Sequence, residues 1–249
     1  MLQVPHPNID EFEVIYLSEG ESLDDVDPKF LRNVDPASKA FFLNRQAKME
    51  ELLSSLEIAS ARKWYEQLFS RKMALAVLLN GKLNAHGDGG GSYLLFQNDK
   101  ESFLNNREWP HAGAALDLET KMYNPRNYPQ ELLSIVRLGC PHFSYWYGGA
   151  KLTKPGDDNL VKNHDFISGF VEDSRVEDLD MNSLRFLYDD YSGSNLFYDS
   201  AGVIWSGGHD EGDFAKTKLT MHETLDSIFS AHLAQEFPIL SDIAKGKYL

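Results

Sequence analysis

Hydrophobic and polar positions alternate most regularly in the last third of the chain, from residue 186 to residue 212. Two turn signals interrupt this alternation, Asp-Tyr-Ser-Gly at 190–193 and Asp-Ser-Ala-Gly at 199–202. Successive side chains of a β-strand point to opposite faces, and Asp, Ser and Gly favour tight turns. The pattern therefore predicts consecutive antiparallel strands that form a meander.

Helical spacing is clearest at two other places in the chain. Asp35 and Pro36 are residue types that favour a helix start, and the apolar positions after them predict helical structure over 37–69 with one break. Near the C-terminus, Thr220 and Glu223 match a capping box, in which each residue bonds the backbone or side chain of the other. An apolar stripe then predicts a final helix.

The segment between these helical regions predicts further strands. An apolar run over 73–79 ends at Asn80-Gly81, a favoured hairpin turn, and residues 92–97 have the composition of another strand. We also predict a strand from Phe12 to Leu17 and a short helix that begins near Pro129. Together these elements predict an α+β fold, in which a mixed antiparallel sheet packs with helices.

The predicted domain organisation follows from the distribution of charge and turn residues. Residues 1–35 are acidic and rich in turn-forming residues, which predicts an N-terminal arm. Residues 36–249 are expected to form a single α+β domain. The turn-rich stretch near 151–160 is the candidate sub-boundary within it.

The charge balance restricts the classes of partner. The chain has 249 residues and a formal net charge of −14, from 38 acidic and 24 basic side chains. This field repels phosphate backbones, so we expect no nucleic-acid partner. It attracts basic proteins, although a solvated surface that serves solubility alone explains the composition equally well. A single cysteine, no apolar leader and no apolar run of membrane length predict a cytoplasmic protein without a membrane partner.

Two pairs of side chains resemble loose metal ligands, His86 with Asp88 and His209 with Asp210. They support the alternative hypothesis of a metal-dependent hydrolase. Neither pair has the spacing of an established metal motif, and a solvated turn explains them more simply. Cys140, in a Gly-Cys-Pro-His context, indicates a buried or inert thiol rather than a nucleophile. We therefore predict no enzymatic activity, no cofactor and no bound metal.

Acidic side chains accumulate on the turns of the predicted meander, where aromatic residues accompany them. Charge of one sign beside aromatic rings favours recognition of a basic protein, although a merely solvated rim is the alternative interpretation. The predicted partner-binding residues are Tyr188, Asp189, Asp190, Tyr191, Trp205, His209, Asp210 and Glu211.

The order of elements in this region also matches a family pattern. Residues 187–199 give an apolar strand, an acidic turn with Ser-Gly and a second strand that ends in Asp. Residues 202–205 then supply another strand, 209–211 an acidic loop and 222–229 the closing helix. In this order, the segment 184–230 resembles the C-terminal core of the SUKH superfamily, which includes bacterial immunity proteins and a fungal cell-wall assembly regulator.

The resemblance implies a SUKH-like α+β core with an N-terminal helical extension and no catalysis. It further implies a protein that binds a cognate bacterial toxin and neutralises it, commonly by covering the toxin's active site. The fungal branch of the superfamily implies a regulatory scaffold as an alternative function.

Overall fold

The chain adopts an α+β fold in the computed structural model, and its residues divide into two compact units. Unit 1 contains Met1–Ser54, Glu66–Glu119 and Pro141–Tyr147, and unit 2 contains Ser55–Tyr65, Thr120–Cys140 and Gly148–Leu249. The structure describes residues 2–5, 12–32, 34–80, 90–97, 114–118, 128–136, 139–143, 150–153, 159–163, 179–190, 194–208, 214–234 and 238–249.

Seven α-helices lie within the described residues. They are α1 (Pro28–Leu31), α2 (Pro36–Leu43), α3 (Arg45–Ser55), α4 (Ala59–Phe69), α5 (Gln130–Val136), α6 (Met221–Ala234) and α7 (Leu240–Ala244). In the same part of the chain, no helix is both long enough and apolar enough to cross a membrane.

Eleven β-strands lie within the described residues, and every pairing whose register is known is antiparallel. They are β1 (Leu2–Pro5), β2 (Phe12–Ser18), β3 (Lys72–Asn80), β4 (Gly90–Gln97), β5 (Ala114–Asp117), β6 (Cys140–His142), β7 (Lys151–Leu152), β8 (Arg185–Asp189), β9 (Ser194–Tyr198), β10 (Ile204–Gly208) and β11 (Ala215–Lys216).

The sheet of unit 1 has the strand order β1-β2-β3-β4-β5, in which each strand pairs with its neighbour in sequence. Helices α1 and α2 contact β3, and α2 also contacts β4. The ring of Phe69 links helix and sheet in the core, since its centroid lies 5.9 Å from that of Phe41 and 5.6 Å from that of Phe96. The strands predicted from Phe12 and over 92–97 are therefore confirmed.

The region predicted to be an acidic arm contributes two strands and several buried side chains to unit 1. Strand β2 lies between β1 and β3, and Leu17 within it is fully buried. Val26 and Phe30 are also buried, with exposed fractions of 3% and 1%. Glu19, Asp24, Asp25 and Asp27 are exposed beside these buried apolar side chains, so the acidic composition of the segment did not reveal its contribution to the core.

Unit 2 contains the predicted meander, in which β8, β9, β10 and β11 pair in sequence order and β7 adds to β8. The turn after β9 is completed by Gly202, whose φ of +78° is a conformation that glycine adopts without strain. One face of the meander packs into a hydrophobic cluster built on Val161, Leu184, Phe197 and Trp205. All five residues of β9 are buried, and α7 contacts this strand.

Hydrogen bonds at the N-termini of α2 and α6 confirm the two predicted helix starts. The Asp35 carboxylate accepts hydrogen bonds from the backbone N–H groups of Ala37 and Ser38, both at 2.9 Å, with Pro36 in the first turn of α2. The Glu223 carboxylate accepts from the backbone N–H of Thr220 at 2.8 Å, and the Glu223 N–H donates to the Thr220 hydroxyl at 3.2 Å. This reciprocal pair is the capping box of α6.

The division into units differs from the single domain predicted for residues 36–249. Each unit is built from three separate segments of the chain. The last boundary between segments of the two units lies between Tyr147 and Gly148, just before the predicted sub-boundary near 151–160. A change of composition along the sequence can reveal a single linker between two continuous domains. It cannot reveal the boundary between units that are each built from several chain segments.

Candidate functional site

The meander places three of the predicted partner-binding positions that the structure describes, Tyr188, Asp189 and Asp190, at one end of its strands. Asp189 at the end of β8 pairs with Asn195, and Ser194 at the start of β9 pairs with Gly208 at the end of β10. The connections that carry the remaining predicted residues therefore leave the sheet from neighbouring strand ends. We call the strand ends Asp189, Ser194 and Gly208 the acidic end of the meander.

Tyr188 is fully buried, so the prediction that it projects toward a partner is wrong. Its hydroxyl is hydrogen-bonded to Nε2 of His232 on α6, with 3.0 Å between the two atoms. The two rings lie 6.0 Å apart, centroid to centroid. Tyr188 thus joins the sheet to α6, where His232 is half-buried.

Asp190 is also buried, with 6% of its surface exposed, and this corrects its assignment to a contact surface. Its carboxylate accepts a hydrogen bond from the Ser194 N–H at 2.9 Å, and its own N–H donates to the Ser194 carbonyl at 3.0 Å. The Asp190 side chain therefore closes the connection between β8 and β9, which is a frequent use of Asp in turns.

Trp205 is the third predicted contact residue that the structure places in the core, with an exposed fraction of 4%. Its ring stacks on Phe214, with centroids 5.4 Å apart and planes inclined by 11°. Its indole N–H donates to the carboxylate of Asp199 at 3.1 Å. Tyr188 and Trp205 therefore stabilise the sheet instead of framing an exposed surface.

Asp189 remains a half-exposed acid at the acidic end, with 37% of its side chain accessible. Partial burial raises the pKa of Asp189 above its ordinary value, the ammonium of Lys151 opposes this shift, and Asp190 adds to it. The nitrogen of Lys151 lies 3.9 Å from an Asp189 oxygen. A half-exposed pair at this distance is weak and leaves the carboxylate accessible to a stronger cationic partner.

The other predicted residues lie outside the part of the chain that the structure describes. These are Tyr191, His209, Asp210 and Glu211 of the predicted surface, and His86 and Asp88 of the alternative metal site. Across the described ranges, no group of three or more His, Cys, Asp or Glu side chains is arranged to hold a metal ion. Cys140 is buried, with 1% of its surface exposed, as predicted.

A second feature, which the sequence reasoning missed, lies at the opposite end of the meander. It is a cleft lined by side chains that include Tyr128, Arg185 and Tyr198. The sequence feature that could have indicated this cleft is Arg185. It and Arg175 are the two Arg or Lys residues among the many acidic residues of 171–213. Such an isolated cation in an acidic segment favours a specific role, but its neighbours come from distant parts of the sequence.

Comparisons with known proteins found no matching family model, no matching curated protein and no matching solved structure. The resemblance to the SUKH superfamily therefore stays a prediction from the motif of residues 184–230.

Proposed function

We propose that this chain is a non-enzymatic, cytoplasmic binding protein whose partner is a basic protein, and specifically an immunity protein that neutralises a cognate bacterial toxin. The observation that carries the proposal is the formal net charge of −14 on 249 residues. A field of this sign steers a basic partner toward the surface and raises the association rate by roughly 10- to 1000-fold at low salt.

Exposed acids on the described surface support this electrostatic interpretation. In unit 1, Asp24 and Asp25 are exposed in a short 3-10 helix. In unit 2, Asp180 is exposed and Asp189 is half-exposed at the acidic end. Charges at the rim of an interface act mainly on the rate of encounter, whereas buried aromatic anchors act on the rate of dissociation.

The contact surface that we propose is narrower than the one predicted from sequence. It consists of Asp189 and the four positions that flank described strand ends in sequence, Tyr191, His209, Asp210 and Glu211. Tyr188, Asp190 and Trp205 hold the sheet in place, and we propose that they support this surface from within. The SUKH resemblance adds the toxin as the class of partner, because it covers the same segment.

The test begins with a pull-down from host lysate at low and moderate salt, followed by identification of the retained protein. Support requires one basic protein, retained near stoichiometrically, whose own activity is lost when this chain is added. A partner that is acidic, or one whose activity is unchanged in the complex, would contradict the proposal. Retention of metal with a measurable hydrolytic activity would favour the alternative enzyme.

The proposed surface is then tested by association kinetics with the identified partner. The triple variant Asp189→Asn, Asp210→Asn, Glu211→Gln is expected to slow association by roughly tenfold at low salt. The control removes the same charge from unit 1, as Asp24→Asn, Asp25→Asn, Glu66→Gln at exposed positions. Equal slowing in both variants would show steering by the whole field and would refute the local surface.

A further inference from the structure

Unit 2 carries a second charged surface, and its sign is opposite to that of the whole chain. Residues 214–219 and 244–249 contain four lysines and no acidic residue, in a chain whose formal net charge is −14. The four are Lys216, Lys218, Lys245 and Lys247, and all are exposed. Such a local reversal of sign favours a partner of different charge from the basic protein proposed above.

The fold brings these two segments together at Gly246. A Cβ at this position would lie 3.1 Å from Cδ2 of Leu219 and 3.0 Å from Cδ1 of Leu249. Both leucine side chains therefore pack directly on the glycine, and Leu249 still has an exposed fraction of 56%. The lysines of the two segments thus lie beside an accessible apolar side chain.

Three of the four lysines are available to a partner. The ammonium of Lys247 is already paired, since its nitrogen lies 2.6 Å from a carboxylate oxygen of Asp242 on α7. Within the described part of the chain, the ammonium groups of Lys216, Lys218 and Lys245 make no ion pair. Each of them can therefore donate hydrogen bonds to a carboxylate from outside.

Strand β11 presents backbone groups at the same place. The Thr217 N–H donates to the Ile204 carbonyl at 2.9 Å, so the adjacent pair of Lys216 and Trp205 is of the non-hydrogen-bonded type. The N–H and C=O of Lys216 therefore point away from β10. Among the described strands, β11 is the last of its sheet, and this open edge can accept a further extended segment.

The charges determine which kind of segment the edge accepts. Lysine on an open edge disfavours pairing with an apolar or basic strand, whereas an acidic strand gains ion pairs. An extended anionic surface, such as a membrane or a nucleic acid, would also meet the repulsive field of the whole chain. A short acidic segment lies within about 8 Å, the Debye length at physiological salt, of these lysines and is screened from more distant acids.

We propose that this basic edge, formed by Lys216, Lys218, Lys245 and Leu249, binds an extended acidic segment of a second protein, which adds to β11 as a strand. The backbone of Lys216 pairs with the backbone of the segment, the ammonium groups pair with its carboxylates, and Leu249 contacts an apolar side chain. Lys216 lies opposite Trp205, three residues or roughly 10 Å before Gly208 at the acidic end. The acidic segment and the proposed toxin therefore occupy different surfaces.

The experiment is an NMR titration of the full chain with a short synthetic peptide in which Glu and Val alternate. When extended, this peptide presents carboxylates on one face and apolar side chains on the other. We expect saturable shifts of the backbone N–H resonances of Lys216 and Leu249, with a Kd below roughly 1 mM at low salt. Absence of saturable binding up to that concentration overturns the proposal. So does binding to vesicles of phosphatidylserine and phosphatidylcholine in place of the peptide.

Matched charge variants locate the binding. The test variant replaces the three available lysines, as Lys216→Gln, Lys218→Gln, Lys245→Gln, and is expected to raise the Kd by roughly tenfold or more. The control makes the same change at exposed lysines elsewhere, as Lys39→Gln, Lys63→Gln, Lys72→Gln, and is expected to leave the Kd within threefold. Equal weakening by the two variants would assign the binding to general charge and overturn the site.

Modified peptides separate strand addition from charge attraction. Two peptides of the same sequence carry N-methyl groups on the one or the other set of alternate backbone amides, so that together they cover both edges of the added strand. Every carboxylate is retained, and at least one of the two peptides is expected to bind roughly five- to tenfold more weakly, because it cannot donate to the Lys216 carbonyl. Unchanged affinity of both peptides would show that charge alone holds the segment and would refute its addition to β11.

Discussion

Replacing Asp199 by asparagine is expected to destabilise unit 2 through one hydrogen bond, the one donated by the indole of Trp205. Asparagine retains an oxygen for the backbone N–H groups of Ala201 and Val203 but places an amide NH2 where the second carboxylate oxygen was. The Trp205 N–H, 3.1 Å from that oxygen, would then face another donor in a site where Trp205 is 4% exposed. Water cannot easily replace the lost acceptor there.

The magnitude follows from this arrangement. A bond to a charged acceptor contributes about 1.5 to 3 kcal/mol, and a buried donor left unsatisfied costs about 1 to 3 kcal/mol. We expect Asp199→Asn to lower the free energy of unfolding by about 2 kcal/mol. With a urea dependence of about 2 kcal/mol per M, the midpoint of urea unfolding would fall by about 1 M.

A double-mutant cycle isolates the indole contact from the rest of the turn. In a Trp205→Phe background the indole N–H is absent, so Asp199→Asn is expected to cost about 1 kcal/mol less than in the unaltered chain. The matched control is Trp64→Phe, since Trp64 packs on Tyr65 and Phe229 at another place in unit 2. The effect of Asp199→Asn in that background is expected to be unchanged.

Far-UV circular dichroism during urea unfolding is the suitable assay, because both backgrounds remove a tryptophan and would alter fluorescence. The expected result is a coupling energy of about 1 kcal/mol with Trp205 and none with Trp64. If Asp199→Asn costs the same in all three backgrounds, the reasoning is refuted. The two backbone hydrogen bonds or the lost charge would then account for the loss of stability.

Two further predictions concern packing and pH. A Cβ on Gly207 would lie 2.8 Å from a ring carbon and 3.3 Å from the Cα of Phe214, so Gly207→Ala is expected to lower the free energy of unfolding by about 1 to 3 kcal/mol in the same urea assay. Hydrogen bonds from the N–H and hydroxyl of Thr220 lower the pKa of Glu223, so Thr220→Ala is expected to raise that pKa toward its ordinary value in an NMR titration. Because the folded-state pKa is depressed, the contribution of this pair is present above the unfolded pKa and is lost as pH falls through the folded value. An unchanged midpoint or an unchanged pKa would contradict the respective prediction.

The parts of the fold that the sequence predicted are those that short-range chemistry determines. The capping box of Thr220 and Glu223 and the Asp35-Pro36 start involve groups within three or four residues of each other, so their residue types are sufficient. The meander was predictable because apolar and polar residues alternate along the sequence and turn-forming residues interrupt this alternation at intervals of about one strand length.

The candidate surface was only partly predictable, for a physical reason that Tyr188 and Trp205 illustrate. Alternation along a strand separates its two faces but does not show which face is exposed, and β9 is buried on both. Acidic turns suggested a solvated setting, whereas Asp190 and Asp199 use their carboxylates to bind backbone N–H groups. The cleft brings Tyr128 to Arg185, more than fifty residues later, and no local pattern records that contact.

The complete burial of β9 has a consequence for how the chain avoids misfolded states. In a strand with one wet face, a shift of register by one residue exposes apolar side chains and is thereby penalised. In β9 such a shift would exchange side chains between two faces that are both buried. The burial of apolar surface would therefore not disfavour the shifted register. The carboxylates that flank β9 disfavour the shifted register instead, since Asp190 accepts a hydrogen bond from the Ser194 N–H and Asp199 accepts one from the Val203 N–H. These two short-range hydrogen bonds select the native register. Their loss would weaken the native state and would yield chains trapped in a misaligned register during refolding.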